Sequence, residues 1–385
     1  MAQNLYGKNR LGIIKGGQLG RMLIQDLLKY DIKTFVLDDD TDAPCKACCN
    51  EFFAGDPGDF KTLYRFGKKV DLLTIEFEHV NTDALEKLQK EGLAIFPSPE
   101  ILKMIQDKGL QKEFYKNHGI PTADFMLIKN KKELSGKLLK HADLLPAVQK
   151  TRKAGYDGKG VVQLKTASDL SRAFDAPSVL EKKIDFTKEI AVIVARNAAG
   201  EMATYPVVEL EFHPQKNLVE FLSAPAKISK KTATQGLKIA KKIASTLKIV
   251  GLLAVEMFVL KNGKVLVNEI APRPHNSGHH TIEANLTSQF EQHFRAIYGL
   301  PLGSTKMRSP AAMINLLGEE GHEGPVKYQG LEKVMVMEGV FVHLYGKAKT
   351  KPYRKMGHVT ILAKNIAQAK QKAILVKQTL KVISK

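Results

Sequence analysis

Two strand-like runs, residues 252–260 and 264–270, flank the dipeptide Asn262-Gly263, and that spacing dictates an antiparallel hairpin. Asn-Gly specifies a two-residue type I′ turn, because both central residues need positive φ. Pairing Lys261 with Lys264 makes partner numbers sum to 525, which sets Glu256 directly opposite Glu269. Opposed residues on one face have Cβ atoms about 5 Å apart, and like charges there destabilise unless something compensates. A divalent cation is the evident compensator, since Mg²⁺ takes one or two carboxylates and completes its octahedron with water and phosphate oxygens. A shared proton or lysine partners are the alternative. By strand parity Asn268 faces the other side, so its side chain reaches the same site only through a bulge.

Toward the N-terminus, strands alternate with helices. Residues 11–14 read as a strand, Gly16-Gly17-Gln18-Leu19-Gly20 as a loop, and 21–30 as a helix with Leu19, Met22, Leu23 and Leu27 at helical spacing. Strands at 32–37, 71–75 and 93–96 follow, which predicts a doubly wound parallel sheet with ligands beyond the strands' carboxyl ends. The glycine loop, Asp38 and Glu76 fall there. The loop is nearly a dinucleotide fingerprint, but Lys15 stands where the first glycine belongs, which argues against NAD. The amides of Gln18 and Leu19 still offer an anion site, with Lys15 adding charge; a plain helix-start turn is the alternative.

From about residue 112 the pattern changes to shorter strands and hairpins, predicting α+β architecture. Gly299-Leu300-Pro301 reads as a boundary, and the last 85 residues carry β-like segments at 334–344 and 359–362 before a lysine-rich amphipathic helix. The expected division is a Rossmann-like domain over 1–111, a central domain over 112–300 with a lid to about 185 and a larger lobe beyond, and a small β-rich domain over 301–385.

Between strand-like runs lies Lys150-Thr151-Arg152-Lys153-Ala154-Gly155-Tyr156-Asp157-Gly158-Lys159-Gly160. Three glycines and four basic residues make a flexible cationic flap whose amides can close over phosphates, or else a solvated hairpin tip. No Gly-Lys-Ser/Thr follows to make it a Walker loop. After the carboxylate hairpin comes Ala271-Pro272-Arg273-Pro274-His275-Asn276-Ser277-Gly278-His279-His280-Thr281, a proline-stiffened loop suited to positioning a reacting group. Its histidines lack a fourth ligand at zinc spacing, so Arg273 and His275 suit an anion or oxyanion better. Cys45, Cys48 and Cys49 contain one C-x-x-C without a second pair, which reads as packing and fits a reducing compartment.

The chain carries 59 basic against 40 acidic residues, +19 overall, so its partners are expected to be anionic. Only ten of the basic residues are arginines, tryptophan is absent, and the lysines are scattered, which disfavours a nucleic-acid reader. No run reaches eighteen apolar residues and no signal pattern opens the chain, so a cytoplasmic protein without membrane contact is expected.

These motifs resemble the ATP-grasp superfamily: a lysine on a strand, a glycine-rich flap, the linker strand Val179-Leu180-Glu181-Lys182-Lys183-Ile184 and two magnesium carboxylates. Gly16 to Met22, Glu76-Phe77-Glu78, Gly155 to Gly160, Ala271 to Thr281 and Arg354-Lys355-Met356-Gly357-His358, in that order over nearly the whole chain, are similar to the 5-(carboxyamino)imidazole ribonucleotide synthase family of purine biosynthesis. The resemblance implies a carbon–nitrogen ligase: bicarbonate attacks the γ-phosphate of ATP to give carboxyphosphate and ADP, and the amine of 5-aminoimidazole ribonucleotide takes the carboxyl group. It further implies that Lys108 and Lys150 hold ATP phosphates, that Gly155, Tyr156, Asp157, Gly158, Lys159, Gly160 and Val161 cover them, and that Glu181, Lys182, Lys183 and Ile184 meet the adenine. Glu189 matches the ribose carboxylate, His213 a histidine near the nucleotide, Asn268 and Glu269 further ATP contacts, and Glu256 with Glu269 the Mg²⁺ ligands. For the ribonucleotide it points to Gln18, Leu19, Glu76, Tyr156, Asp157, Asn276, Lys347, Arg354 and Lys355. Arg273 and His275 would lie beside bicarbonate or carboxyphosphate, and a homodimer is implied.

The nearest rival is a formate-dependent glycinamide ribonucleotide transformylase, which shares platform and flap; Asn276-Ser277 favours the carboxylating branch. Biotin carboxylase fits less well, since its biotin-docking features are not evident. A rival of another class is a basic nucleotide- or nucleic-acid-binding protein on the same scaffold.

Overall fold

The computed structural model describes residues 9–140, 142–153, 160–212 and 218–385. The first hundred residues build a five-stranded parallel sheet in the spatial order Glu51–Ala54, Lys33–Asp38, Arg10–Ile14, Leu72–Ile75, Ala94–Phe96. The chain starts in the centre and reverses its direction of progress beside Leu72–Ile75, so the crevice lies between the ends of those two strands. One face packs Leu19, Met22, Leu23 and Leu27 of the helix Gln18–Leu27, and the other packs Leu63, Phe66, Leu85 and Leu88 from two further helices. Strands covered on both faces are accordingly apolar almost throughout.

Lys15 departs from the expectation. It ends the first strand at φ 72°, the left-handed region where glycine is usual, and its ammonium is bound by Asp38 at 2.9 Å and by Asp39. Asp38, at the end of the second strand, and the adjacent Asp39 neutralise it, so it does not add charge to the neighbouring helix start.

A four-stranded antiparallel sheet follows, ordered Phe125–Ile128, Ser178–Lys182, Ala147–Thr151, Val161–Leu164. The largest sheet has nine strands; its main path runs Val265–Ala271, Gly251–Leu260, Phe186–Arg196, Val208–Phe212, Val219–Ala224, Ala311–Leu317, Lys355–Leu362, Val340–Leu344. The helix Lys230–Thr246 lays Ile239, Ala240 and Ile243 on Ile190, Val192, Val255 and Met257 of this sheet. The sheet crosses the expected boundary at Gly299-Leu300-Pro301, because Ala311–Leu317 pairs with Val219–Ala224. Two local expectations change: residues 334–344 divide into the helix Leu331–Met335 and the strand Val340–Leu344, and a strand, Lys381–Ser384, follows the terminal helix Ile366–Thr379.

The carboxylate hairpin closes differently from the type I′ expectation. Of its turn residues only Gly263 has positive φ, 79°, and Gly263 N–H donates to Leu260 O at 2.8 Å. Asn262 uses its side chain to accept Lys264 N–H at 3.0 Å, so Lys261, Asn262 and Gly263 form a three-residue loop. Partners near the loop therefore sum to 524, as in Val259 with Val265 and Met257 with Val267. A bulge at Asn268 then adds one residue, and beyond it Glu256 stands opposite Glu269.

Candidate active site

A cleft of about 490 Å³ opens between the four-stranded sheet and the carboxylate hairpin. Its floor is acidic. Ala191 pairs with Glu256 across the strands, and Glu189 lies two residues from Ala191, so Glu189, Glu256 and Glu269 share a face and all line the cleft. Burial, then the charge of Glu269, pushes the Glu189 carboxyl up to about 8. Burial and the charges of Glu269 and Glu189 together hold Glu256 well above the carboxylate range. The bulge puts Asn268 on this face as well, where its Oδ1 accepts from Lys150 Nζ at 3.1 Å.

Lysines form the opposite wall. Asp107 caps the helix Lys108–Asn117 through Gly109 N–H at 2.8 Å and accepts both ends of the Arg152 guanidinium at 2.7 Å. That joint fixes the helix to the lid. Lys108 and Lys112, one turn apart, both line the cleft. Glu181 binds Lys112 Nζ at 3.0 Å and Lys150 Nζ at 3.1 Å. Burial alone would raise its pKa, yet Lys150 and Lys112 outweigh that and hold it below the usual range. Lys150 is the mirror case: burial disfavours its charge, but Glu181 and Glu269 keep it above the ordinary lysine value. Lys182, Lys183 and Ile184 continue the wall, and Phe186 stacks on Phe258 with centroids 4.5 Å apart on an apolar side of the cleft.

The proline-stiffened loop closes the far end. Arg273 Nε lies 2.8 Å from Glu78 Oε1, and His275 Nε2 lies 3.6 Å from Glu256 Oε1. Ser277 N–H donates to His275 Nδ1 at 3.3 Å. Burial, then Arg273 and Lys355, lowers the His275 pKa to about 3, so the ring is neutral and its proton sits on Nε2, facing the cleft. Asn276 and Lys355 also line this end.

The remaining predicted residues gather in an adjoining cluster. Glu76 is buried at the start of the helix Gln18–Leu27 and accepts Leu19 N–H at 3.2 Å. Burial raises its pKa to about 7, against the pull of the Leu19, Gly20 and Gly17 amides. Of the expected anion site, the Leu19 amide is thus engaged by the protein's own carboxylate. A Cβ at Gly17 would lie 2.3 Å from Glu76 Oε1, so that glycine is needed for close approach. Lys347 Nζ donates to Lys355 O at 2.8 Å, within electrostatic reach of Glu76, Arg354 and Asp40. Burial, then Arg354, lowers its pKa to about 8. Lys355 therefore belongs to both clusters.

Of the other predicted positions, Val161 lines the cleft, Gly160 has φ 71° at the base of the lid hairpin, and Arg354 donates to Lys349 O at 2.7 Å. Gly155, Tyr156, Asp157, Gly158, Lys159 and His213 lie outside the described residues. Cys45 packs behind the glycine loop, its Sγ 3.4 Å from Gly17 O. The sequence reading missed Lys112, Glu78 and the Asp107–Arg152 joint. Lys112 had a signal in its i+4 spacing from Lys108; the joint, between residues 45 apart, had none.

Adenosine triphosphate would find its needs in separate walls here, with an apolar slot, buried lysines and a carboxylate floor, and that arrangement defines the ATP-grasp class. A model of the ATP-grasp domain matches residues 113–290, a ribonucleotide synthetase preATP-grasp domain matches 8–106, and a phosphoribosylaminoimidazole carboxylase C-terminal domain matches 311–372. The crystal structure of N5-carboxyaminoimidazole ribonucleotide synthetase from Thermotoga maritima is 43% identical, with a TM-score of 0.90 over 98% of this chain and 100% of that one. The Aspergillus clavatus enzyme, solved with ADP and 5-aminoimidazole ribonucleotide, is 32% identical, with a TM-score of 0.87 over 97% of this chain and 99% of its own. The chain belongs to the N5-carboxyaminoimidazole ribonucleotide synthase family. It is also 39% identical over 366 residues to the chloroplastic phosphoribosylaminoimidazole carboxylase of Vigna aconitifolia, covering 93% of this chain and 64% of that longer protein. Among the described residues no helix is long and apolar enough to cross a membrane.

Proposed function

We propose that the protein carboxylates 5-aminoimidazole ribonucleotide at the expense of ATP and bicarbonate, forming N5-carboxyaminoimidazole ribonucleotide, ADP and phosphate in purine biosynthesis. The observation that carries this is the opposed Glu256–Glu269 pair, set between the buried lysines of the lid and the neutral His275. ATP would lie with its adenine against Lys182 to Ile184, its ribose at Glu189 and its phosphates between Lys108, Lys150 and the carboxylates. The relative solved with ADP and the ribonucleotide supports this choice of substrates.

Mg²⁺ fits the floor. Glu256 and Glu269 stand opposite each other in the cleft, and two carboxylates suit an ion that takes few protein ligands and fills its octahedron with phosphate oxygens and water. Glu256, Glu269 and the Asn268 carbonyl would hold it, and when bound it neutralises the phosphoryl charge. The remaining work falls to side chains. A bicarbonate oxygen attacks the γ-phosphorus and ADP leaves; Lys150 and Lys108 stabilise the charge on the transferring group. Arg273 and the Nε2–H of His275 hold the carboxyl end of carboxyphosphate. The ribonucleotide amine then attacks the carboxyl carbon, phosphate leaves and the nitrogen loses a proton. Because Glu76 already engages the Leu19 amide, it meets ribose hydroxyls as an acceptor, and the ribonucleotide phosphate goes to Lys347, Arg354 and Lys355. The same reading includes a homodimer, as the family resemblance implies, and a cytoplasmic location.

Phosphate release from MgATP, measured with and without the ribonucleotide in bicarbonate and then in formate, tests the proposal. Stimulation that needs both ribonucleotide and bicarbonate supports it, and stimulation by formate with glycinamide ribonucleotide transfers the protein to the transformylases.

Lys347 adds a pH prediction. Its charge is present below about 8 and lost above, so ribonucleotide affinity falls as pH rises through that value. Lys347→Ala weakens ribonucleotide binding about 10-fold or more at pH 7, the loss of roughly 1.4 kcal/mol or more from a charge-assisted bond, and flattens this dependence. ATP affinity stays within about twofold, since a shift of about 0.4 kcal/mol lies below a single hydrogen bond. Calorimetric titration with each ligand at several pH values reads all three effects; equal losses for both ligands would refute the assignment.

A further inference from the structure

Gln289 opens the helix Gln289–Ile297, is fully buried, and does not line the cleft. Its carboxamide spans one residue of the reacting loop: Oε1 accepts His275 N–H at 2.9 Å and Nε2 donates to His275 O at 2.8 Å. The second Nε2 hydrogen is directed at His279 Nδ1, 3.2 Å away. A two-point clamp on the N–H and C=O of one residue fixes its backbone dihedrals, and with them the direction of its ring. The loop is shaped around this amide, since a Cβ at Gly278 would lie 2.4 Å from Gln289 Oε1.

The contact continues beyond the loop. The His279 ring lies 4.7 Å from that of His358, which stacks on His343 at 4.4 Å and 5°. His343 Nε2 meets Glu283 Oε1 at 2.7 Å, and the Tyr345 hydroxyl meets His358 Nδ1 at 3.1 Å. His358 shares the strand Lys355–Leu362 with Lys355, three residues away. The ring stack therefore joins the loop that carries His275 to the strand that carries Lys355.

We infer that Gln289 is a positioning residue for the carboxyl transfer: it aims His275 Nε2 and, through the His279–His358–His343 stack, sets that loop against Lys355. The inference rests on the carboxylation reading. A misaligned loop still lets ATP be cleaved, but carboxyphosphate is then lost to water before the amine captures it. Gln289→Glu retains the acceptor for His275 N–H and, when ionised, removes both donors. The expected result is a drop in kcat for carboxylation of about 30–100-fold, the scale of a misplacement near 1 Å. The ATP KM stays within about threefold, because the clamp touches no nucleotide contact. The amount of ADP released per carboxylated ribonucleotide rises several-fold above the wild-type ratio.

A uniformly destabilised enzyme would lose ADP release and product together, so an unchanged ratio overturns the inference. Should Gln289→Glu give no soluble protein, His343→Leu, at the half-buried end of the stack, carries the same test: a raised ratio supports the coupling and a wild-type ratio overturns it. Wild-type protein assayed alongside separates the two readings, since absence of carboxylated product there defeats the proposed reaction rather than the role of Gln289.

Discussion

Glu269→Gln is expected to cut ribonucleotide- and bicarbonate-dependent ADP release at least about 100-fold, the scale on which a preorganised charge contact acts on a transferring group. The fold should persist. Glu256 is held far from its ordinary pKa by burial and by Glu269, so neutralising Glu269 removes a repulsion of about 0.2–1 kcal/mol between opposed residues. Lys108 and Lys150 lose an attraction to the same carboxylate, which offsets part of that gain. The net shift in thermal midpoint should stay within a few degrees in either direction. Turnover assays beside thermal denaturation decide the matter. Full activity would remove the carboxylate pair from the mechanism, and a collapse of the fold would mean that Glu269 is a structural partner of the lysines.

The platform shows how sequence logic reaches a right pairing through a wrong turn. A two-residue Asn-Gly turn sets Glu256 opposite Glu269 over an uninterrupted ladder. The chain instead uses a three-residue loop, which shifts the register by one, and the bulge at Asn268 shifts it back. Neither step leaves a trace in apolar alternation, because each involves a single residue and the two cancel within five positions. The N-terminal domain was more legible: buried parallel strands followed by glycine and acidic residues place the crevice by topology alone. Non-local pairing was not. Nothing local in residues 219–224 or 311–317 says that they are neighbours, so the C-terminal strands read as a separate layer although they extend the central sheet. Charge depth was equally hidden. Lys15 and Lys112 look alike as letters, yet one is neutralised at the end of a strand by two aspartates and the other is only 3% exposed between the lid and the hairpin.

That burial makes Lys112 the position where a single uncharged substitution should do the most structural damage. Its ammonium binds Glu181 at 3.0 Å and donates to Thr122 Oγ1 at 2.7 Å, and Thr122 in turn donates to Val267 O on the platform strand at 2.8 Å. Lys112→Met removes the cation while keeping much of the volume, and leaves Glu181 with Lys150 alone. Breaking a buried ion pair by deleting one partner costs about 3–5 kcal/mol; the surviving Lys150 contact limits the loss to roughly 2–3 kcal/mol. For a chain of this size that corresponds to a fall in thermal midpoint of about 2–4 °C. Lys150 must then neutralise Glu181 by itself, so it is less free for phosphate, and the ATP KM rises about 10-fold, equivalent to 1.4 kcal/mol. The double variant Lys112→Met with Glu181→Gln tests the electrostatic origin, because it removes the carboxylate that has lost one of its two cations and leaves Lys150 with Asn268 and the charge of Glu269. It should recover most of the lost stability without recovering ATP affinity, since Glu181 is proposed to meet the adenine. If the double variant is no more stable than Lys112→Met, packing around the lysine stem rather than its charge holds the lid to the platform.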